Sequence, residues 1–315
     1  MMRRTLSFLF LAFALSGATK AFAADGPGSL MFPWSRISPD PAVLGSGSAG
    51  FADTERSAWA PFRNAALLPL SGAQTAEAAV SYTRWMPSAD GDPISHFGGA
   101  LSGHFGSLAV GAGLRYLPGT AYDIRNEIGV KTGSFTPSDL EACLSAGYAI
   151  LDGLSVGATF RFLKSSVAEG EDYSSFAGDV AALYRFGAFT ASAGLSNLGT
   201  SVEDSLGNRF DIPTSATAGF CGDFTFAEVH AVKACVDAGY FFSGAFSAAV
   251  GAQYSYNRLV FLRAGYHFGT NDAPLPSFLS LGAGVEYQGI GLNLAYLVIG
   301  EDIAGSLSVG LSYRF

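Results

Sequence analysis

The sequence predicts an all-β fold: a transmembrane antiparallel β-barrel of about fourteen strands with an N-terminal plug segment. Three observations predict it. The first is a two-residue hydrophobic rhythm. Near the carboxyl end Leu307, Val309, Leu311, Tyr313 and Phe315 share one parity, and Ser306, Ser308, Gly310, Ser312 and Arg314 share the other. That period belongs to a strand with one greasy face and one wet face. The second is composition. Gly is 40 of 315 residues, Phe and Tyr number 26 and 13, and charged residues are 14%, below the roughly 25% of average proteins. The third is an alternation of tight and long connections, as bacterial barrels have short periplasmic turns and longer outer loops.

Residues 1–23 read as a secretory signal peptide. Arg3 and Arg4 form the positive end, Leu6 to Leu15 the apolar core, and Ala21-Phe22-Ala23 the cleavage site, so the mature chain is expected to begin near Ala24 or Asp25. No Cys follows that site, which argues against a lipoprotein anchor. No later apolar run reaches the roughly 18 residues of a spanning helix. An exported chain without such a helix is still integral if it closes a barrel, because closure satisfies every backbone group. The expected location is therefore the outer membrane of a Gram-negative cell, with outer-membrane lipid around the wall.

Residues 24–75 form the expected plug. Pro27, Pro33, Pro39, Pro41, Pro61 and Pro69 exclude a regular barrel wall there. Gly45, Gly47 and Gly50 mark a glycine-rich turn, and Pro61 is placed to open a short helix through Leu68. Leu30, Phe32, Trp34, Ile37, Val43, Leu44 and Phe51 would make a free tail sticky, so the segment is expected to tuck into or under the barrel.

Residues 76–315 form the expected barrel. Phe97, Leu101 and Phe105 oppose His96, Ser102 and His104. Leu154, Val156, Phe160 and Phe162 oppose Ser155, Thr159 and Arg161, and later runs repeat the pattern. Strand centres are expected near residues 81, 100, 111, 144, 158, 180, 192, 218, 235, 250, 263, 283, 294 and 310. The even number suits a single-chain bacterial barrel. Tight joints fall at 105–107, 151–153, 187–188, 256–258 and 288–289. Long joints fall at 87–94, 118–138, 165–174, 199–213 and 269–277. They interleave with both termini on the periplasmic side. Phe242-Ser243-Gly244 is the exception, an outer joint that is short. Tyr313 and Phe315 are placed as the terminal signal that barrel-assembly machinery would read.

The net charge of −8 excludes a nucleic-acid binder, which needs a basic face. On the inner parity fall Glu77, Arg115, Glu141, Arg161, Asp179, Arg185, Asp223, Lys233, Asp237, Arg263, Glu286 and Arg314. They read either as a selective pore lining or as ion pairs filling a lumen around the plug. Mixed signs cancel each other's field, which favours the second reading.

Cys221 and Cys235 flank a turn near Glu228 and fall on one wall, with Cys143 left over. A disulfide and three small inward thiols both remain open. His96, His104, His230 and His267 show no metal-ligand spacing, and lumen or rim filling is the expected role. Glu169-Gly170-Glu171-Asp172 is expected to be a solvated outer loop. Gly45-Ser46-Gly47-Ser48-Ala49-Gly50 imitates a dinucleotide fingerprint but lacks the βαβ context. No G-x-S-x-G or H-E-x-x-H occurs, so no enzyme, cofactor or metal site is expected.

Residues 32–70 resemble the amino-terminal signature of the PorV/PorQ family of outer-membrane proteins. The matching runs are Arg36 to Asp40, Leu44-Gly45-Ser46-Gly47-Ser48-Ala49-Gly50, Asp53-Thr54-Glu55 and Asn64-Ala65-Ala66-Leu67-Leu68, with Asn-Leu-Gly at 197–199. The family's Asn-Pro-Ala is Asn-Ala-Ala here, and its glycine-turn Met is Ser46. The resemblance implies a FadL-like barrel of fourteen strands plugged at the amino end. It also implies a role in the type IX secretion system, with secretion components and sorting-domain cargo as partners. Three functions follow as expectations: a secretion and attachment component, a FadL-like channel for hydrophobic small molecules, and, least favoured, a wall-sited hydrolase.

Overall fold

A computed structural model describes residues 30–55, 57–70, 76–86, 94–300 and 305–315. The expected signal peptide falls outside the described residues. The strands are β1 (Ala76–Trp85), β2 (Ile94–Phe105), β3 (Leu108–Pro118), β4 (Tyr122–Arg125), β5 (Lys131–Phe135), β6 (Ser138–Leu151), β7 (Leu154–Ala168), β8 (Glu171–Phe186) and β9 (Phe189–Gly199). They continue as β10 (Val202–Glu203), β11 (Arg209–Phe210), β12 (Ser215–Phe226), β13 (His230–Phe241), β14 (Phe246–Tyr256), β15 (Val260–Gly269), β16 (Phe278–Tyr287), β17 (Ile290–Val298) and β18 (Ser306–Arg314).

Fourteen of these close an antiparallel barrel in the order β1-β2-β3-β6-β7-β8-β9-β12-β13-β14-β15-β16-β17-β18. Every expected strand centre falls inside one of them. The seam pairs β1 with β18 from Glu77↔Arg314 to Arg84↔Leu307. β4–β5 and β10–β11 are two small hairpins standing on the long joints. Strands join by tight turns at one end of the barrel. Gly106, Gly153, Gly187 and Gly289 take positive φ there, which an L side chain adopts only at a cost.

Two elements differ from expectation. The joint at 165–174 is not a long loop, because β7 and β8 run on as a paired ribbon to Ala168 and from Glu171. Helix 61–68 does not form as one piece. Asn64 is extended, with φ −163°, and separates the turn Ala60–Arg63 from the 3-10 stretch Ala65–Leu70. Leu30, the first described residue, is bridged to Asp211 among the loops, while Ala76 and Phe315 meet at the turn end.

The outward parity carries Val80, Leu101, Leu144, Val250, Leu281 and Leu311, each about half exposed or more. Rings crowd both rims. Near the turns Phe189 meets Phe220 at 5.6 Å and Tyr313 meets Phe315 at 4.8 Å. Near the loops Tyr82 meets Phe97 at 5.2 Å and Phe160 meets Phe176 at 5.5 Å. An apolar belt between two aromatic girdles is the outer surface of a membrane barrel. Leu281→Arg, midway along β16, is expected to destabilise the barrel by about 2–4 kcal/mol in lipid. Urea titration in lipid vesicles measures it, and an unchanged midpoint would contradict a lipid-facing wall there.

One irregularity breaks the ladder. β8 and β9 pair as Gly178↔Leu198 and then Val180↔Leu195, so Asp179 faces both Ser196 and Asn197. Asn197 takes φ 54°, and its backbone N–H donates to Asp179 Oδ1 at 2.8 Å.

Candidate functional site: the filled lumen

Residues 30–55 and 57–70 run inside the barrel from the loop end to the turn end, circling the wall. Trp34 reaches β7, where its indole N–H donates to Ser165 Oγ at 3.1 Å. Ile37 packs with Trp85, Leu117, Phe278 and Leu297 beneath the loops. The glycine turn then lies on β14, β15 and β16. The peptide turns sharply at Gly47, with φ 67°, and the Gly47 N–H donates to Ser280 Oγ at 2.7 Å. Gly45 rests on Gly282, where an added Cβ would come within 2.8 Å of the Gly282 Cα. The Gly50 and Phe51 N–H groups both donate to Asp237 Oδ2, at 2.7 and 2.9 Å.

Asn64 is the lower fastening. Its amide donates to the Phe51 carbonyl at 2.7 Å and to Ser192 Oγ at 2.8 Å, and its Oδ1 accepts from the Ala66 N–H at 2.9 Å. That use of one side chain explains the break at residue 64. The carbonyls of Ala66 and Leu68 then accept from Ser155 and pair with His104 on the wall.

The inner charges assemble around this segment. Arg115 Nε donates to Glu141 Oε2 at 2.6 Å, and its two other nitrogens donate to the carbonyls of Ile37 and Ser35. Glu141 also pairs with Arg161, which donates to Asp179 at 2.8 Å and to the Pro61 carbonyl at 3.2 Å. All four side chains are buried, and two positive charges meet two negative ones. A buried set of this kind is tolerated only when each group is paired and hydrogen-bonded. A second set joins Lys233 to Asp53 at 2.8 Å and to Glu55. Gln253 continues it from Glu55 to Arg263, which donates to Asn293 at 2.8 Å. At the turn end Arg314 pairs with Glu286 and Glu77.

Two members of the inner parity do not join. Arg185 and Asp223 are exposed, because β8 and β12 extend past the filled lumen at the turn end. Arg185 is therefore no part of the lumen network. Asp53 and Glu55 are partners of Lys233 that parity reasoning does not reach, since they stand on the segment and not on the wall. Their signal was the acidic pair itself, lodged among apolar and proline residues. Tyr313 and Phe315 stack edge to face on the outer rim.

Cys221 and Cys235, directly opposed in the ladder, form a disulfide, while Cys143 is free and buried. The disulfide packs beneath Ala49 and Ala52 of the segment. Outside the membrane, the Asp204 carboxyl is held below its ordinary range by hydrogen bonds from Asn208 and from nearby backbone N–H groups. Among the described residues no group of His, Cys, Asp and Glu is arranged to hold a metal ion.

No protein-family model matches the chain, and no curated protein matches it. Solved structures do match its fold. The toluene transporter TbuX of Ralstonia pickettii shares 14% identity at a TM-score of 0.66, covering 89% of this chain and 99% of that one. The toluene transporter TodX of Pseudomonas putida shares 15% at 0.63, covering 93% and 98%. A FadL homologue of Pseudomonas aeruginosa shares 13% at 0.59, covering 89% and 99%. The fold is thus that of the FadL-type outer-membrane barrels over nearly the whole chain.

Proposed function

We propose that the protein is an outer-membrane conduit for hydrophobic small molecules. The observation that carries this reading is the whole-chain likeness to hydrocarbon channels. The lumen supports it. Trp34, Trp85, Phe278, Leu117 and Leu297 pack into an apolar layer beneath the loops, the surface a hydrophobic solute arriving from that side would meet. The charges below them cancel in pairs and would hold the segment in place without attracting an ion. Passage would require the segment to shift, since it occupies the lumen from end to end.

Reconstituted liposomes test the reading. Toluene is expected to enter vesicles containing the protein several-fold faster than vesicles containing an unrelated sealed barrel. Equal rates would end it. The alternative, a type IX secretion and attachment component, is supported by the signature at residues 36–68. In the structure the glycine turn and Asn64 serve segment-to-wall packing, a task any plugged barrel shares. A deletion strain that keeps its surface proteins in place would remove the secretion role, and their loss would favour it over the conduit.

A further inference from the structure

Three polar cavities follow one another between the segment and the side of the wall formed by β12 to β18. The upper one, about 110 Å³, lies beneath the joint at 269–277 and is lined by Ala273, His267, Thr217 and Asp237. The middle one, about 60 Å³, is lined by Asp40, Ser57, Arg263 and Asn293. The lower one, about 310 Å³, is lined by Ser255 and by Asp223 and Arg258, which are exposed at the turn end. Neighbouring cavities share lining residues. Arg63 and Val43 border both the upper and the middle one, and Glu55, Gln253 and Arg314 border both the middle and the lower one. At the first partition Arg63 Nη1 and Val43 Cγ2 converge on Gly50, 3.2 and 3.6 Å from where its Cβ would stand. Side chains able to change rotamer stand between the upper two cavities.

The lining asks for water. His267 is 7% exposed with neither ring nitrogen partnered, and Asp237 Oδ1, Arg63 Nε, Ser48 Oγ and Thr217 Oγ1 are buried without partners among the described residues. Such atoms cost free energy unless something completes them, and water does so where a site is polar and roomy enough. At the roughly 30 Å³ that one water takes in the liquid, the cavities hold about four, two and ten waters from top to bottom. Charge selects nothing else. Seven carboxylates face six cationic side chains around the three cavities, Asp40 beside Arg63 included. An ion entering this nearly balanced field would gain little to offset its lost hydration. Size agrees, since a waist of about 60 Å³ is too small for glycerol or sucrose. The opposite half of the lumen is different, for there Leu67, Leu68, Ala109 and Leu183 pack into one apolar cluster. We infer that the β12–β18 side of the lumen carries a water file. It passes water across the membrane beside the segment and passes neither ions nor larger solutes, with Arg63 as its narrowest partition.

Stopped-flow light scattering of vesicles holding the full-length protein tests it. A sucrose step is expected to shrink them several-fold faster than vesicles holding an unrelated sealed barrel. A potassium chloride step of equal osmolarity is expected to give the same shrinkage without the re-swelling that ion entry brings, and glycerol is expected to enter both kinds of vesicle at one rate. Thr217→Leu, which fills the upper cavity, is expected to remove most of the excess water flow, and Arg63→Ala, which takes away the partition, to raise it. Heat-modifiable gel migration shows that each variant is folded, and Ser247→Leu, on the same cavity, substitutes if Thr217→Leu is not. Shrinkage no faster than with the sealed barrel would overturn the inference. So would re-swelling in potassium chloride, glycerol entry above background, or a folded leucine variant that shrinks like the parent. Rapid shrinkage without toluene uptake would leave the water file standing and the conduit refuted. Toluene uptake with background shrinkage would do the reverse.

Discussion

Gly265→Val is expected to push residues 45–50 off the wall while the barrel stays closed. A Cβ at 265 would lie 2.2 Å from the Ser46 carbonyl carbon and 2.4 Å from the Gly47 nitrogen. Both are backbone atoms, so no rotamer change relieves the clash. The turn cannot retreat without losing the Gly47 bond to Ser280 and the seat of Gly45 on Gly282. Overpacking of this kind costs about 1–3 kcal/mol where neighbours give way, and more where they do not. Valine suits a strand, so the ladder itself should survive. Limited proteolysis measures the outcome. The variant should be cleaved within residues 38–55, with normal heat-modifiable migration, while the parent resists. A resistant variant would show that the segment has room to adjust.

Glu141→Gln is expected to have the second large effect. Glu141 is fully buried and joins two guanidinium groups, Arg115 and Arg161. Without its charge, two like charges face each other out of water. Breaking a buried pair by removing one partner costs about 3–5 kcal/mol. The loss extends to the segment, because Arg115 also donates to the carbonyls of Ser35 and Ile37. Urea unfolding in detergent should show a lower midpoint, and the pair Glu141→Gln with Arg115→Met should recover part of it. A double variant no more stable than the single one would mean the two residues are not coupled.

The wall was legible because lipid outside and polar filling inside impose a period of two on each strand, and one residue's slip would turn Leu281 inward and Ser280 outward. Fourteen centres could be read for that reason. The lumen was only partly legible. Parity identified Arg115, Glu141, Arg161 and Asp179 as inward, but it is blind to height along the axis, so Arg185 and Asp223 were placed with them. It is equally blind to partners contributed by a separate segment, which is how Asp53, Glu55 and the carbonyls of Ser35 and Pro61 escaped notice. The high glycine content reads from sequence as close strand packing. In the structure Gly111, Gly147, Gly157, Gly251, Gly265 and Gly310 are bare patches of wall against which the segment's own chain rests. The helix expected at 61–68 was lost to Asn64, whose side chain satisfies three buried groups that a continuous helix would leave to others.

The path of residues 30–55 and 57–70 bears on the order in which the molecule is made. Leu30 is anchored among the loops and Leu68 beside the opposite rim, so the segment traverses the full height of the cylinder. Once the seam between β1 and β18 had zipped, threading it through would mean dragging Trp34, Phe51 and Trp59 past Arg115, Arg161 and Lys233. The segment is therefore expected to be laid down while the sheet is still open, with the final pairing of the two outermost strands wrapping a wall around contents already in position.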